Sequence, residues 1–415
     1  MLKQLVRSAT FVCALLITGV PTAALAQTER GLTEQQVVQA FLQQHRVDQW
    51  LAEQRQAIQA QRDGAALLAN PELELSYEPM SYADGSEENE LALWLTQSFE
   101  AWGARGYRQQ AADLQAQVAT TQLHITLRDQ LAEVRTKFYH LVMLTQQYQQ
   151  QQRFTQQLTE LVAQSQQQLE LEEQSRLDHF RLQQTLSSAQ LKTAELAREA
   201  VALSHELEAL TGLNIEQQLA APLLPQELSP ETLNQLRAPT HNLELAMLQQ
   251  LRERLAAEQQ AAEARVFPEV TVGLGMRRIE DAQGQHSEAA ASLGVELPLF
   301  QRGQYEAARL VPLQTALSIE FERLQCAQQQ QFASLKKRLR ATLQSLQQSQ
   351  LHNTEQMLAT ARQAYWLGEI SVTELIDIQR TQQTLSADLL NHQFNARVDW
   401  IHLQQLSYQP EELKR

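Results

Sequence analysis

The sequence LRDQLAEVRTKFYHLVML occupies residues 127–144 of a longer segment, Tyr107 to Thr211, that contains neither glycine nor proline. Its apolar residues recur at alternating intervals of four and three, the heptad pattern of helices that pack along one seam. Two such stripes are present: Leu127, Leu131, Val134, Phe138 and Leu141, and then Leu196, Ala200, Leu203, Leu207 and Leu210. The pattern predicts a helix from about Arg105 to Leu171, which at 1.5 Å per residue would be ~100 Å long.

Two other segments alternate apolar residues with polar or small ones, as strands with one lipid-facing side do. We expect β-hairpins at about 71–100 and about 268–300. Their apolar positions are Leu73, Leu75, Tyr77, Leu91, Leu93 and Leu95 in the first, and Val270, Val272, Leu274, Leu293, Val295 and Leu297 in the second. Aromatic residues near these strands are expected at the membrane interfaces: Tyr77, Tyr82, Trp94, Phe99, Trp102, Phe267 and Phe300.

The N-terminus has the layout of a cleavable secretory signal, with Lys3 and Arg7 ahead of an apolar stretch that ends in small residues. We expect cleavage after Ala26. Removing those two positive charges takes the formal net charge from −14 to −16, which argues against nucleic acid as a partner. Cys326 is then the single remaining cysteine, so no disulfide forms within the chain. No later apolar run is long enough for a transmembrane helix.

The order of elements occurs twice, which indicates an internal duplication. Asn70-Pro71-Glu72-Leu73 aligns with Phe267-Pro268-Glu269-Val270, and the residues from Leu91 through Phe99 to Gly103 align with those from Ala291 through Leu299 to Gly303. Further on, Ser175-Arg176-Leu177-Asp178-His179-Phe180 aligns with Ser371-Val372-Thr373-Glu374-Leu375-Ile376. Thr33 with Gln36 forms a capping box that starts a first helix, expected to continue to about Ala69. The predicted organisation is a signal peptide at 1–26, a first repeat at 27–215, a linker at 216–239 and a second repeat at 240–415.

Four strands are too few to enclose a barrel, and an open sheet edge in hydrocarbon leaves backbone groups unpaired at several kcal/mol each. The smallest outer-membrane barrels have about eight strands, so two or more copies of the chain must share one barrel. A soluble periplasmic coiled-coil adaptor or scaffold would explain the helices equally well. The alternating strands favour the membrane protein.

The chain resembles the outer-membrane efflux factor (TolC) family over essentially all of the predicted mature sequence. The resemblance depends on the proline that opens each hairpin, on Leu207-x-x-Leu210-Thr211-Gly212, and on Tyr365-x-x-Gly368-x-x-Ser371-x-x-x-Leu375. The segments 97–106, 267–275 and 297–300 are most similar to the heavy-metal cation efflux (CzcC-like) branch. The resemblance implies a mainly α-helical chain that forms a homotrimer, with a twelve-stranded β-barrel in the outer membrane of a Gram-negative bacterium and a coiled-coil tunnel in the periplasm. It also implies a periplasmic membrane-fusion adaptor and an inner-membrane pump of the RND type as partners.

Each long helical segment must fold back, and the expected turns are at 171–178 and 367–374. The resemblance implies that these turns form the tip that contacts the adaptor, through Leu171, Glu172, Ser175, Leu177, Leu367, Gly368 and Ser371. Glu374 and Asp377 share one helix face, so three copies would place a ring of carboxylates at the tunnel mouth. Asp178 and Arg181, at the matching places in the first repeat, are hypothesised to pair with that ring. The alternative for Glu374 and Asp377 is a solvated helix start in which acids interact with the helix dipole.

No metal site, cofactor site or enzyme is predicted. The ten histidines are spread singly without ligand spacing, and no Walker loop, nucleophile elbow or dinucleotide fingerprint is present. Three hypotheses of different class stay open: an efflux conduit for heavy-metal cations or drugs, a type I secretion channel for polypeptides, and a periplasmic scaffold.

Overall fold

In the computed structural model, the described residues are 31–407 apart from 82, 84–86, 101–102, 172–174, 216–218, 220, 225–227, 239–241, 282–283 and 349–353. The helices are α1 Glu34–Gln44, α2 Val47–Ala65, α3 Ala104–Glu170, α4 Arg176–Thr211, α5 Pro230–Gln235, α6 Leu243–Glu263, α7 Gln304–Gln348, α8 Thr354–Trp366 and α9 Val372–Ser407. The strands are β1 Glu72–Ser81, β2 Glu87–Phe99, β3 Glu269–Asp281 and β4 Gly284–Glu296. Both predicted hairpins are therefore present, one in each predicted repeat.

The predicted long helix is confirmed as α3, which has 67 residues. Its heptad positions pack as expected, since Leu127, Val134, Phe138 and Leu141 are all buried. At 1.5 Å per residue α3 is ~100 Å long. No helix in the described part of the chain combines the length and hydrophobicity that crossing a membrane requires.

The first helix differs from its prediction. The capping box between Thr33 and Gln36 is present, but the helix divides at His45 and Arg46 instead of continuing to Ala69. Arg46 has φ 46°, a left-handed conformation that a residue with a Cβ adopts at a cost of about 1–2 kcal/mol. The ring of His45 bonds the carbonyl of Leu210, with 3.0 Å between Nε2 and O. This contact with the end of α4 holds the corner that separates α1 from α2.

The strands form one antiparallel sheet in the order β1-β2-β3-β4, so β2 and β3 join the two hairpins. Leu95 of β2 lies opposite Leu73 of β1 and Leu274 of β3. The outer sides of β1 and β4 have no strand partner among the described residues. Because each backbone N–H and C=O there needs a partner, both edges are available for pairing with another chain.

The helices pack around buried clusters at successive levels. The largest cluster, which includes Phe138 and Ile401, joins α1, α3, α4 and α9. A second cluster, which includes Leu233, packs the linker helix α5 against α7 and α9. A third, which includes Leu158 and Leu375, lies beside the two helix turns.

The linker is also held by cations. The Nζ of Lys336 donates to the carbonyl of Leu236 at 2.8 Å, and Arg340 donates to the side chain of Asn234. The buried guanidinium of Arg397 donates to the carbonyl of Leu223 at 2.8 Å. These bonds to the end of α5 and to the preceding loop fix the connection between the repeats against α7 and α9.

Candidate functional site

The turn between α8 and α9 is shaped by Gly368. Its φ of 74° is left-handed, and its N–H bonds the carbonyl of Tyr365 at 3.0 Å. The N–H of Glu369 reaches back to the carbonyl of Ala364 at 2.9 Å. Together these bonds form the Schellman motif, in which glycine ends a helix and satisfies its last carbonyls. The chain reverses there, with Leu367 exposed at the apex.

Ser371 and Glu374 start α9 with a reciprocal capping box. Glu374 Oε2 accepts from the Ser371 N–H at 2.7 Å and from its hydroxyl at 2.9 Å, while Ser371 Oγ accepts from the Glu374 N–H at 3.2 Å. The bond from the Ser371 N–H, followed by that from its hydroxyl, lowers the pKa of Glu374 below its ordinary value of 4.5. Glu374 is therefore both an ionised carboxylate at neutral pH and a capping residue. This capping role is the one expected from the alternative given above, in which Glu374 lies at a solvated helix start.

The turn between α3 and α4 lies between Leu171 and Ser175. Leu171 ends α3 and is exposed, and Ser175 caps α4 by accepting from the N–H of Leu177 at 3.2 Å. Glu172, predicted to contact an adaptor, lies outside the described residues. Both turns thus begin their returning helices with a serine cap, at two positions that the repeat alignment pairs.

Arg181 links the two turns of the same chain. Its Nη1 donates to the hydroxyl of Thr373 at 3.1 Å and lies 3.5 Å from Oδ1 of Asp178. The sequence-based hypothesis paired Arg181 with Glu374 or Asp377; within one chain the bonds of Arg181 go to other residues. Asp377 is exposed beside this contact, and its side chain faces solvent.

His179 is a residue of the turn region that the sequence analysis did not single out. It is buried, and its Nδ1 lies 3.1 Å from the hydroxyl of Ser165, which is also buried. A signal was available, because the repeat alignment places His179 opposite Leu375, and Leu375 is fully buried. A polar residue at a core position needs a hydrogen-bonding partner, and Ser165 supplies it.

The turns carry an exposed apolar surface, formed by large side chains that each expose more than half of their area: Leu171, Leu177, Phe180 and Leu367. Exposed apolar clusters of this kind mark surfaces that bind other macromolecules. Phe180 was not among the predicted contact residues, although it lies in the aligned segment.

The sheet has one apolar face, and it is exposed. The predicted positions share that face, because the register sets Leu75 beside Leu93 and Leu93 beside Met276. Tyr77 and Phe99 lie on it as well. The exposed apolar side chains of the sheet and the residues that follow it are Leu73, Leu75, Tyr77, Leu91, Leu93, Leu95, Phe99, Val272, Leu274, Met276, Leu293, Val295, Leu297, Leu299 and Phe300.

The prediction for Trp94 is corrected by the register. Trp94 lies between Leu93 and Leu95 and so belongs to the opposite face, beside Gly275 of β3. A Cβ on Gly275 would lie 2.6 Å from the indole, so the glycine makes room for the ring. Tyr82 and Trp102 lie outside the described residues.

The opposite face of the sheet is polar and rich in acids. Its carboxylates include Glu72, Glu74, Glu78, Glu88, Glu90, Glu269, Glu288 and Glu296. Arg277 lies on the same face and forms an ion pair with Glu288, with 2.9 Å between Nη2 and Oε2. The face therefore has an excess of negative charge. In the part of the chain that the structure describes, no group of three His, Cys, Asp or Glu residues is placed to hold a metal ion.

No protein-family model matches the chain, and no curated protein matches it. Solved structures do match in fold. CusC, whose structures concern transmembrane channel formation, has 15% identity, with 90% of this chain and 91% of that chain covered and a TM-score of 0.69. The outer membrane protein VceC of Vibrio cholerae has 14% identity, coverages of 90% and 95%, and a TM-score of 0.68. The open outer membrane channel MtrE of Neisseria gonorrhoeae has 14% identity, coverages of 90% and 88%, and a TM-score of 0.67. This chain has the fold of those proteins over nearly its whole length.

Proposed function

We propose that this chain is the outer-membrane channel of a tripartite efflux system in a Gram-negative bacterium. Three copies form a passive conduit, with a twelve-stranded barrel in the membrane and a helical tunnel in the periplasm. The observation that carries the proposal is the sheet, which has an exposed apolar face, an acidic polar face and two edge strands without a further strand partner among the described residues. A sheet in water would bury that apolar face, and a sheet in lipid must close its edges.

The dimensions agree with this arrangement. The helix α3 is ~100 Å long, far more than the ~40 Å of a membrane with its headgroups, so most of the chain lies in the periplasm. The turns are then at the far end of the tunnel from the sheet. We assign the apolar surface of the turns, which includes Leu171 and Leu367, to contact with a periplasmic adaptor, and the adaptor connects the conduit to an RND-type pump.

Heavy-metal cations are the proposed cargo. The support is the similarity of the sequence segments to the cation-efflux branch, together with the charge of the conduit walls. Glu374 and Asp377 add carboxylates at the tunnel mouth, and the polar face of the sheet adds more in the barrel. Rings of carboxylates favour the passage of cations over anions.

Deletion of the gene in its host tests this function. The expected result is sensitivity to zinc, cobalt, cadmium, copper or silver, reversed by the wild-type gene. Sensitivity to drugs or detergents with normal metal tolerance would assign a drug cargo, and loss of a secreted polypeptide would assign type I secretion. A protein absent from outer-membrane fractions would support the scaffold instead.

The adaptor contact is tested by complementing the deletion with turn variants. Leu171→Ser together with Leu367→Ser removes apolar surface from both turns, and Glu369→Ser alters an exposed polar residue of the same region. We expect the double leucine variant to stay in the outer membrane yet fail to restore tolerance, while the glutamate variant restores it. Equal complementation by both variants would contradict an apolar adaptor contact.

A further inference from the structure

We propose that the loop after β4, residues 297–303, inserts its apolar residues Leu297 to Phe300 into the acyl region of the periplasmic lipid leaflet. This inference rests on the proposed function, because it requires the sheet to lie in the membrane. The loop has the sequence Leu-Pro-Leu-Phe-Gln-Arg-Gly and connects β4 to α7. It carries three large apolar side chains that the rest of the chain leaves uncovered.

The exposure of these side chains is extreme for a loop in water. Leu297 is 65% exposed, Leu299 is 61% exposed and Phe300 is 87% exposed. Three neighbouring apolar residues that remain this open form a contiguous patch, and such patches mark contact with lipid or with another macromolecule.

The backbone of the loop is prepared for a site without water. The four consecutive carbonyls of residues 297–300 all accept hydrogen bonds from nearby donors. The Leu297 carbonyl accepts from the Leu299 N–H at 2.8 Å, and the Phe300 carbonyl accepts from Gln304 Nε2 at 2.9 Å. Arg302 donates to the other two carbonyls, from Nε to the oxygen of Pro298 at 3.2 Å and from Nη2 to the oxygen of Leu299 at 3.3 Å.

A loop in water needs no such arrangement, because solvent satisfies its carbonyls. In hydrocarbon each unsatisfied group is costly, so irregular backbone can enter only if its polar groups are bonded internally. The loop meets this condition at each of those four carbonyls.

The position of the loop fits the same conclusion. Leu297 continues the apolar face of β4 beyond Val295, toward the helices. Along β2 that face extends from Leu91 to Phe99, which is ~26 Å of strand or ~20 Å of height at a tilt of ~40°. Outer-membrane barrels have an apolar band of ~25 Å. The loop supplies apolar surface where the sheet alone falls short.

The matching joint in the first repeat provides a contrast. Phe300 aligns with Glu100, whose carboxylate is paired with Arg108 at 2.7 Å. A charged, ion-paired residue at this place suits the aqueous side of the membrane interface. The two joints therefore differ in chemistry at this aligned position, where the second has an exposed phenylalanine and the first an ion-paired glutamate.

Spin-label accessibility tests the inference in the mature protein, from which the predicted signal peptide with Cys13 has been removed. Phe300→Cys and Leu299→Cys are introduced singly into a Cys326→Ser background, labelled with a nitroxide and reconstituted into phospholipid nanodiscs. Collision of the label with oxygen, which partitions into lipid, is compared with collision with a water-soluble nickel chelate. Glu100→Cys is the matched control, and Leu274→Cys reports on the apolar face of the sheet.

We expect the labels at positions 299 and 300 to collide with oxygen but not with the nickel chelate. The label at position 100 should still collide with the nickel chelate. Nickel access at 299 and 300 with protection at 274 would overturn the inference and leave the proposed function intact. Protection of 299 and 300 from both reagents would also overturn it, since a second copy of the chain would then cover the loop. Nickel access at 274 would overturn the proposed function itself.

Discussion

The guanidinium of Arg181 donates to the hydroxyl of Thr373 across 3.1 Å and thereby joins two turns that are 192 residues apart in sequence. The same guanidinium lies beside Asp178 in its own helix. One side chain thus connects the serine-capped starts of α4 and α9. It is a polar contact between the two turns, in addition to the buried cluster beside them that includes Leu158 and Leu375.

We predict a small coupling energy between Arg181 and Thr373. Arg181→Ala and Thr373→Val, singly and together, should give a double-mutant coupling of about 0.2–1 kcal/mol, because the Arg181 side chain is about half exposed. The free energy of unfolding of the helical region, followed by circular dichroism in urea, is the measurement. Strictly additive effects would show that the bond does not contribute to stability.

Charge and capping at Glu374 can be separated. Glu374→Gln removes the charge but keeps an amide that can cap, whereas Glu374→Ala removes both. We predict lower cation selectivity for both variants and for Asp377→Asn, measured as the reversal potential in a salt gradient across a planar bilayer. Only Glu374→Ala should also destabilise the turn. Unchanged reversal potentials in all three variants would exclude a carboxylate ring at the mouth.

The cap should also respond to pH in a defined direction. The hydrogen bonds from Ser371 lower the pKa of Glu374 in the folded protein below 4.5, so the stability they give is fully present above that value. It is lost as the pH falls through the lowered pKa of the folded state. The difference in unfolding free energy between wild type and Glu374→Gln should therefore be constant from pH 7 to pH 5 and change only below 4.5. A change already between pH 7 and pH 5 would contradict this bond pattern.

Two glycines at equivalent joints should differ in their tolerance of alanine. Gly303 has φ 75° and lies so close to α6 that an added Cβ would be 1.9 Å from the carbonyl oxygen of Ala262. Gly103 has φ 90°, but its nearest neighbour, an atom of Tyr107, would be 3.9 Å away. We predict that Gly103→Ala lowers the free energy of unfolding by about 1–2 kcal/mol, from backbone strain alone.

The loss for Gly303→Ala should be larger, about 2–5 kcal/mol, because overpacking adds about 1–3 kcal/mol to the strain. Unfolding in urea of the two variants side by side is the measurement. Equal losses would mean that the close approach of Gly303 to the Ala262 backbone does not restrict the side chain at position 303.

Much of this fold can be predicted from the spacing of apolar residues in the sequence. Leu127 to Leu141 repeat every three and four residues over a segment without glycine or proline, and the helix α3 follows that pattern to within a residue of the predicted bounds. The hairpins follow from alternation at Leu91, Leu93 and Leu95. Local period is sufficient in these places because one face of each element is apolar throughout.

Other features depend on contacts that no local pattern contains. The break at Arg46 is held by the bond from His45 to Leu210, which lies far away in the sequence. The link from Arg181 to Thr373 likewise requires the two turns to meet. Trp94 is a different case. Its position between Leu93 and Leu95 in one strand already assigns it to the opposite face, so the alternation of the strand is a better guide to its location than its nearness to other aromatic residues.

Native mass spectrometry of the protein released from outer membranes in detergent tests the central claim most directly. In the described part of the chain, β1 and β4 have no strand on their outer sides, which predicts an assembly in which neighbouring copies complete the sheet; the expected mass is that of three chains. A stable monomer that needs no detergent would contradict the account, because its apolar sheet face would then be exposed to water and its edge strands would have no partner chain.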